Sequence, residues 1–173
     1  YQITIYEKDT SFALEEGYGV QLSVNSIKLL NEIGFGKLQN DKKFNPEKII
    51  FYSNKISKKI CELNISDFNL KDYKYTTLKR STLINFLRRD LERLIKTGYN
   101  ISKIDQKNKQ IKLYFDNDEV KECDYLIISD GVFSKSKSLI LNNQTQLKYN
   151  DTLAIRGILN KSPVNIDNKN ISL

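Results

Sequence analysis

Three residues of this chain have the type and the setting to meet a charged ligand. Glu7 closes an alternating apolar run, Arg80 stands just ahead of an amphipathic one, and Asp130 with Gly131 follows Cys123, Asp124, Tyr125, Leu126, Ile127, Ile128 and Ser129. A short apolar run ending in Ser-Asp-Gly predicts a buried strand over 124–128 that delivers a carboxylate to the carboxyl edge of a sheet, where open α/β sheets bind ligands. A strand-end acid such as Glu7 can accept both hydroxyls of a nucleotide ribose. A guanidinium ahead of a helix reaches anions with the help of the helix's positive end. Each residue also has a plainer role: a solvated carboxylate at Glu7, a surface cation at Arg80, a cap on the next turn at Asp130.

Other chemistries are excluded by composition. The chain of 173 residues has no His, and its two cysteines, Cys61 and Cys123, are far apart. That leaves no His-based metal site and no catalytic triad, and it indicates free thiols in a reducing compartment, the cytoplasm. The net charge is +7, from 28 Lys and Arg against 21 Asp and Glu. The lysines are scattered among Asn, Ile and acids without interleaved aromatics, so no nucleic-acid partner is expected. No stretch approaches the roughly 18 apolar residues of a membrane span, which leaves only peripheral membrane contact open. Oligomeric state is not legible. With no Met and a start at Tyr1, Gln2, Ile3, Thr4 and Ile5, the sequence reads as an excerpt.

The elements that must position these residues follow from periodicity. Residues 1–7 alternate as a strand running into a polar turn. Ile27, Leu30 and Ile33 share one face of a short helix over 26–33 that Gly34 stops. Two β-rich runs, 49–52 and 59–63, flank a turn as a hairpin, and 64–74 reads as a mobile loop. The strongest helix is expected over 81–97, with Ser81 as N-cap, a Leu83, Leu87, Leu91, Leu94 and Ile95 stripe, a Glu92–Lys96 pair, and Gly98 just past its end. Runs at 100–105, 111–115 and 120–123 form a β-meander. A short helix over 134–141 and a last strand over 152–159 complete the series.

In their order these pieces resemble the FAD-dependent aromatic hydroxylases, the single-component flavoprotein monooxygenases that include para-hydroxybenzoate hydroxylase and ubiquinone-biosynthesis hydroxylases. Ile3, Thr4, Ile5, Tyr6, Glu7 and Lys8 are similar to the family's second strand with its ribose-binding Glu; Lys8 stands where Arg is usual. Gly17, Tyr18, Gly19, Val20, Gln21 and Leu22, then Asn25 and residues 29–35, are similar to its "GxGhxh…N…LxxLGh" segment. Leu78 to Leu87 is similar to "hxRxxLxxxL", whose Arg approaches the FAD phosphates. Residues 123–137 are similar to "aDhhhgADGxxSxhR", with Ser129 for Ala and Lys137 for Arg, which keeps the charge but loses bidentate geometry.

The resemblance implies an α/β, glutathione-reductase-like dinucleotide fold with a β-meander and the start of a substrate-domain sheet. The family's first strand and GxGxxG turn are missing, as is its later Gly-Asp segment. The implied division is 1–147 as a partial FAD-binding domain, with a substrate-domain hairpin inserted around 48–75, and 148–173 as the beginning of a substrate-binding sheet. The implied activity is FAD-dependent transfer of one oxygen atom of O₂ to a small aromatic or quinone-precursor substrate, with NAD(P)H as co-substrate. The implied cofactor contacts are Glu7, Lys8, Arg80, Ile104, Asp130 and Gly131, with Ile104 laying its backbone against the adenine and residues 17–22 passing near the flavin ring. The cofactor carries the hard chemistry, so no protein nucleophile or metal is expected. Without a shared central strand, 1–7 and 124–128 would each present an edge, so these residues expressed alone are expected to bind FAD weakly or not at all and to aggregate. Two other readings stand beside this one: a same-fold, prenyl-reductase-like flavoprotein reductase or dehydrogenase, and a non-catalytic nucleotide-binding homologue.

Overall fold

A computed structural model describes residues 1–12, 18–53, 55–56, 58–107, 110–141, 148–153 and 169–172. They form a mixed α/β protein in two compact units, residues 1–12 with 90–154 and residues 13–89 with 155–173.

In the first unit, β1 (Ile5–Glu7) pairs in parallel with β6 (Ile95–Thr97), Ile5 opposite Ile95 and Glu7 opposite Thr97. The expected helix over 81–97 therefore ends early. After α2 (Arg80–Arg88) the chain turns, passes through a 3-10 turn at Glu92–Leu94 and becomes strand. The apolar spacing was compatible with helix, but Ile95 and Thr97 are β-branched, and pairing with β1 overrides helical preference. Leu87 and Leu91 accordingly stay partly exposed rather than forming a core stripe. Glu92 and Lys96 share no helix face, and Gly98, with φ +75°, ends a strand rather than a helix.

The meander is as expected: β7 (Ile101–Lys107), β8 (Gln110–Phe115) and β9 (Val120–Cys123) form an antiparallel sheet in that order. Its buried face carries Leu113 and Phe115. Tyr6 of β1 lies 4.8 Å from the Phe115 ring and 5.1 Å from Tyr99, so an aromatic trio joins β1 to the meander. The helix α3 (Lys135–Leu141) packs against β7.

Residues 124–128 depart from expectation. They run on from β9 without a ladder among the described residues, and Tyr125 and Ile127 are 83% and 89% exposed. Strand assignment needs a neighbour to accept and donate backbone hydrogen bonds, and apolar pattern alone does not supply one.

The second unit is built on β2 (Gly19–Leu22), antiparallel to β5 (Thr76–Lys79), with Gly19 opposite Lys79 and Leu22 opposite Thr76. The helix α1 (Val24–Glu32) and α2 pack on them around Ile27, Phe35, Leu78 and Phe86. Phe35 and Phe86 meet edge to face at 5.1 Å. Gly34 takes φ +89° directly after α1, the left-handed stop its position predicted. The N-cap of α2 is Lys79, with no side-chain cap bond, so Ser81 lies inside the helix.

The hairpin is present as β3 (Lys48–Tyr52) and β4 (Lys59–Asn64), and β10 (Ile171–Ser172) adds in parallel to β3. The segment read as a loop carries local structure: Ile65 is buried in a 3-10 turn, and the Asn69 side chain accepts the Tyr75 N–H at 2.7 Å. The strand expected over 152–159 falls largely outside the described residues.

Candidate functional site

Glu7 ends β1, where its carbonyl accepts the Tyr99 N–H at 2.9 Å and its carboxylate Oε1 accepts the Asp9 N–H at 3.0 Å. The carboxylate thus organises the polar turn after the strand. Lys8, inside this turn, is exposed. The Asp9 carbonyl receives the Gly98 N–H at 3.0 Å, so the turns after β1 and β6 are tied together at the carboxyl edge of the parallel pair.

Asp130 is placed by its own carboxylate, whose Oδ2 accepts the Ser136 N–H at 3.1 Å. Ser134 Oγ accepts the Lys137 N–H at 3.0 Å, so two backbone donors of the first turn of α3 are satisfied from the preceding loop. Partial burial pushes the Asp130 carboxyl up. Bonds from the Ser134 and Ser136 hydroxyls and the Ser136 N–H outweigh it, and the group lies below the ordinary carboxylate range. Gly131 has φ +81°, and a Cβ there would meet nothing within 4 Å: the requirement for glycine is backbone conformation, and the space beside it is open. A depression of about 420 Å³ lies along this loop and α3. The capping role of Ser134 is signalled in the sequence only by its place three residues before the Lys137 amide, a spacing too common to single it out as a site feature. Ile104, half-buried, lies in β7, the strand on which α3 packs, opposite Leu113 of β8.

Arg80 belongs to the other unit. It is the first residue of α2; its N–H donates to the Tyr18 carbonyl at 2.8 Å, and its exposed side chain makes no ion pair among the described residues. The β2–β5 pairing thus sets the Gly19 segment directly beside the Arg80 segment, although about sixty positions separate them in sequence. A Cβ on Gly19 would come no nearer than 4.0 Å to the Leu78 carbonyl, so this backbone is open to close approach. Gly17 lies outside the described residues.

Nothing described in either unit is an activated nucleophile or a metal centre. Burial first, then the neighbouring Asp124 charge, raises the Cys123 thiol above its ordinary value, and Cys61 is an exposed free thiol. No group of three or more metal-ligating side chains occurs among the described residues. No helix among them is long and apolar enough to cross a membrane.

Comparison with known proteins shows what this mixed α/β framework is similar to. Over 163 residues the chain is 24% identical to 6-hydroxynicotinate 3-monooxygenase of Pseudomonas fluorescens, covering 91% of this chain and 41% of that enzyme. Among solved structures it is similar to 2,6-dihydroxypyridine-3-hydroxylase of Arthrobacter nicotinovorans, with a TM-score of 0.64, 13% identity, and 81% and 33% of the two chains covered. It is also similar to Klebsiella pneumoniae HpxO complexed with FAD and uric acid, with a TM-score of 0.60, 12% identity, and 73% and 32% covered. No protein-family model matches the chain. The resemblance to FAD-dependent aromatic hydroxylases is thereby borne out, and the fold is shared with FAD-containing monooxygenases. The chain spans 41% of the length of its curated relative and about a third of the solved structures.

Proposed function

We propose that these residues form part of an FAD-dependent monooxygenase that hydroxylates a small aromatic or heteroaromatic ring with NAD(P)H and O₂. The observation that carries this reading is the β2–β5 pairing, which brings the Gly19 segment and Arg80 side by side as a shared cofactor surface requires. The similarity to a hydroxynicotinate monooxygenase and to a structure holding FAD and uric acid supports the substrate class.

The residues fit the cofactor chemically. The open Glu7 oxygen would accept ribose hydroxyls, and Arg80 and Lys8 would neutralise phosphate charge. The Gly131 turn, held by Asp130, would let backbone approach the diphosphate closely. In this reading Asp130 acts through its bond to Ser136, keeping the turn and α3 in register, and Ile104 offers backbone from β7. FAD, when bound, supplies the redox and oxygen chemistry; these side chains bind, orient and neutralise. In this reading 1–147 is a partial cofactor domain with the hairpin around 48–75 inserted, and 148–173 begins the substrate sheet; β10 adding to the hairpin supports that division.

The test is made on the natural gene product carrying these residues. It should purify with a flavin spectrum that NAD(P)H bleaches, and Arg80→Gln should weaken FAD binding about ten-fold, the scale of one lost charge-assisted contact. Unchanged FAD affinity in Arg80→Gln would remove Arg80 from the site. Oxidation of NAD(P)H that saturates a prenyl chain and hydroxylates no ring would favour the reductase alternative.

A further inference from the structure

A cleft of about 540 Å³ in the second unit shares no lining residue with the proposed cofactor contacts. It opens between the 3-10 turns Phe35–Lys37 and Asn40–Lys42 and one face of α2. Thr82, Asn85, Phe86 and Arg89 fall on that face because they are spaced by three and four residues. Lys37, Lys42 and Arg89 line the cleft together with neutral Thr82 and Asn85, and no Asp or Glu is among its lining residues.

The wall is firmly backed. Phe86 is buried against Phe35, and the Arg89 guanidinium lies 4.1 Å over the Phe86 ring while donating to the Ile33 carbonyl at the end of α1. The left-handed Gly34 turns the chain directly into the 3-10 turn that carries Lys37, and Lys43 Nζ lies 5.7 Å from the centre of the Phe35 ring.

Five lysines elsewhere on the described surface stand in ion pairs: Lys48 and Lys59 hold Glu62, Lys103 holds Asp105, Lys112 holds Glu122, and Lys121 holds Glu119. Lys37 and Lys42 make no ion pair among the described residues, yet they share one concavity with a third cation. Like charges gathered around a concave apolar floor repel one another and focus a positive potential that a compact anion relieves. The cleft runs along α2 from Thr82, two residues after Arg80, to Arg89, which lies a rise of about 13 Å from Arg80.

The geometry points to a binding site for a nucleoside diphosphate, either free or as part of a dinucleotide. The diphosphate sits between Lys37, Lys42 and Arg89, and the base lies against Leu38 and the rim of Phe86. The volume is within the range of small-molecule sites. The site stands independently of the flavin reading, because it shares no residue with it.

Equilibrium dialysis of radiolabelled ADP against the full chain tests it, with Lys37→Gln/Lys42→Gln and Lys37→Arg/Lys42→Arg double variants and Arg80→Gln in parallel. Saturable binding is expected to weaken at least about ten-fold in the Gln pair, to survive in the Arg pair, and to stay unchanged in Arg80→Gln. It should also fall steeply as salt rises. Displacement by pyrophosphate supports the assignment, and NADPH outcompeting ADP would make the dinucleotide the source. Full ADP affinity in the Gln pair, no saturable binding at all, or displacement by adenosine but not by pyrophosphate would overturn it. Because both lysines are exposed, the variants should fold as the parent does, which circular dichroism checks.

Discussion

Two stretches of this chain have the same kind of sequence and opposite fates. Residues 76–79 of β5 and residues 124–128 are each short, partly apolar and succeeded within two positions by a charged residue with the type of a ligand contact. In β5 the backbone is laddered against β2, Leu78 is 5% exposed, and the chain passes directly into α2 with Arg80 at its start. In 124–128 no ladder forms among the described residues, Ile127 is 89% exposed, and the Asp130 bond to Ser136 is the main anchor of the turn into α3. Pattern supplies the capacity to be a strand; a neighbour turns that capacity into structure. A site residue is held as firmly as the element that carries it.

The sharpest way to probe the contrast is to empty the packed side of it. Phe86→Ala removes a ring shared by Phe35, Leu78 and Arg89, and should destabilise the second unit by about 3–5 kcal/mol in chemical denaturation. A cost under about 1 kcal/mol, the scale of a surface change, would mean that this cluster is no better packed than the unladdered stretch.

On the other side the main fixed point is a cap. Asp130→Ala should cost about 1 kcal/mol at neutral pH, the scale of a lost helix-capping bond. The carboxyl is held below its ordinary value in the folded chain, so its contribution is complete above the unfolded value of about 3.9 and is lost as pH falls through the lower folded value. The gap between parent and Asp130→Asn should therefore close on acidification, as read from denaturation midpoints between neutral pH and strong acid. A gap that widened in acid would reverse the assigned direction.

The smallest effect is expected where the sequence looked most like core. Ile127→Ser should change the stability of this chain by no more than about 0.5 kcal/mol, the range of surface substitutions. A loss above about 2 kcal/mol, the scale of a core truncation, would show that the side chain is covered in solution, by another copy of the chain or by more of its own polypeptide.

Much of the framework was legible because it is local. Gly34 stops α1 for a reason contained in one residue, its freedom to adopt φ +89°. The β3–β4 hairpin and the β7-β8-β9 meander follow from alternating runs separated by short polar turns, where pairing partners are close in sequence. The candidate contacts Glu7, Arg80 and Asp130 were legible as types at element ends, and the structure keeps each at a turn or a helix start.

Where expectation failed, the deciding partner was distant or the competing pattern was real. Residues 95–97 fit a helical stripe, but β1, some ninety positions away, made them strand. The local structure within 64–74 comes from the burial of Ile65 and from Asn69 reaching Tyr75, contacts that polar composition conceals. The cationic cleft was invisible for a similar reason: Lys37 and Lys42 are ordinary scattered lysines until α2 is laid across them.

By itself the sequence determined the turns, the hairpin, the meander and the chemical types of the candidate contacts, because those depend on neighbours within a few residues. Only the tertiary structure decided that Gly19 faces Lys79, that Ile95 pairs with Ile5, that the Asp130 carboxylate caps α3, and that 124–128 carries no ladder among the described residues. Backbone hydrogen bonds between strands and the burial that accompanies them are properties of pairs, and one segment read alone holds only half of each.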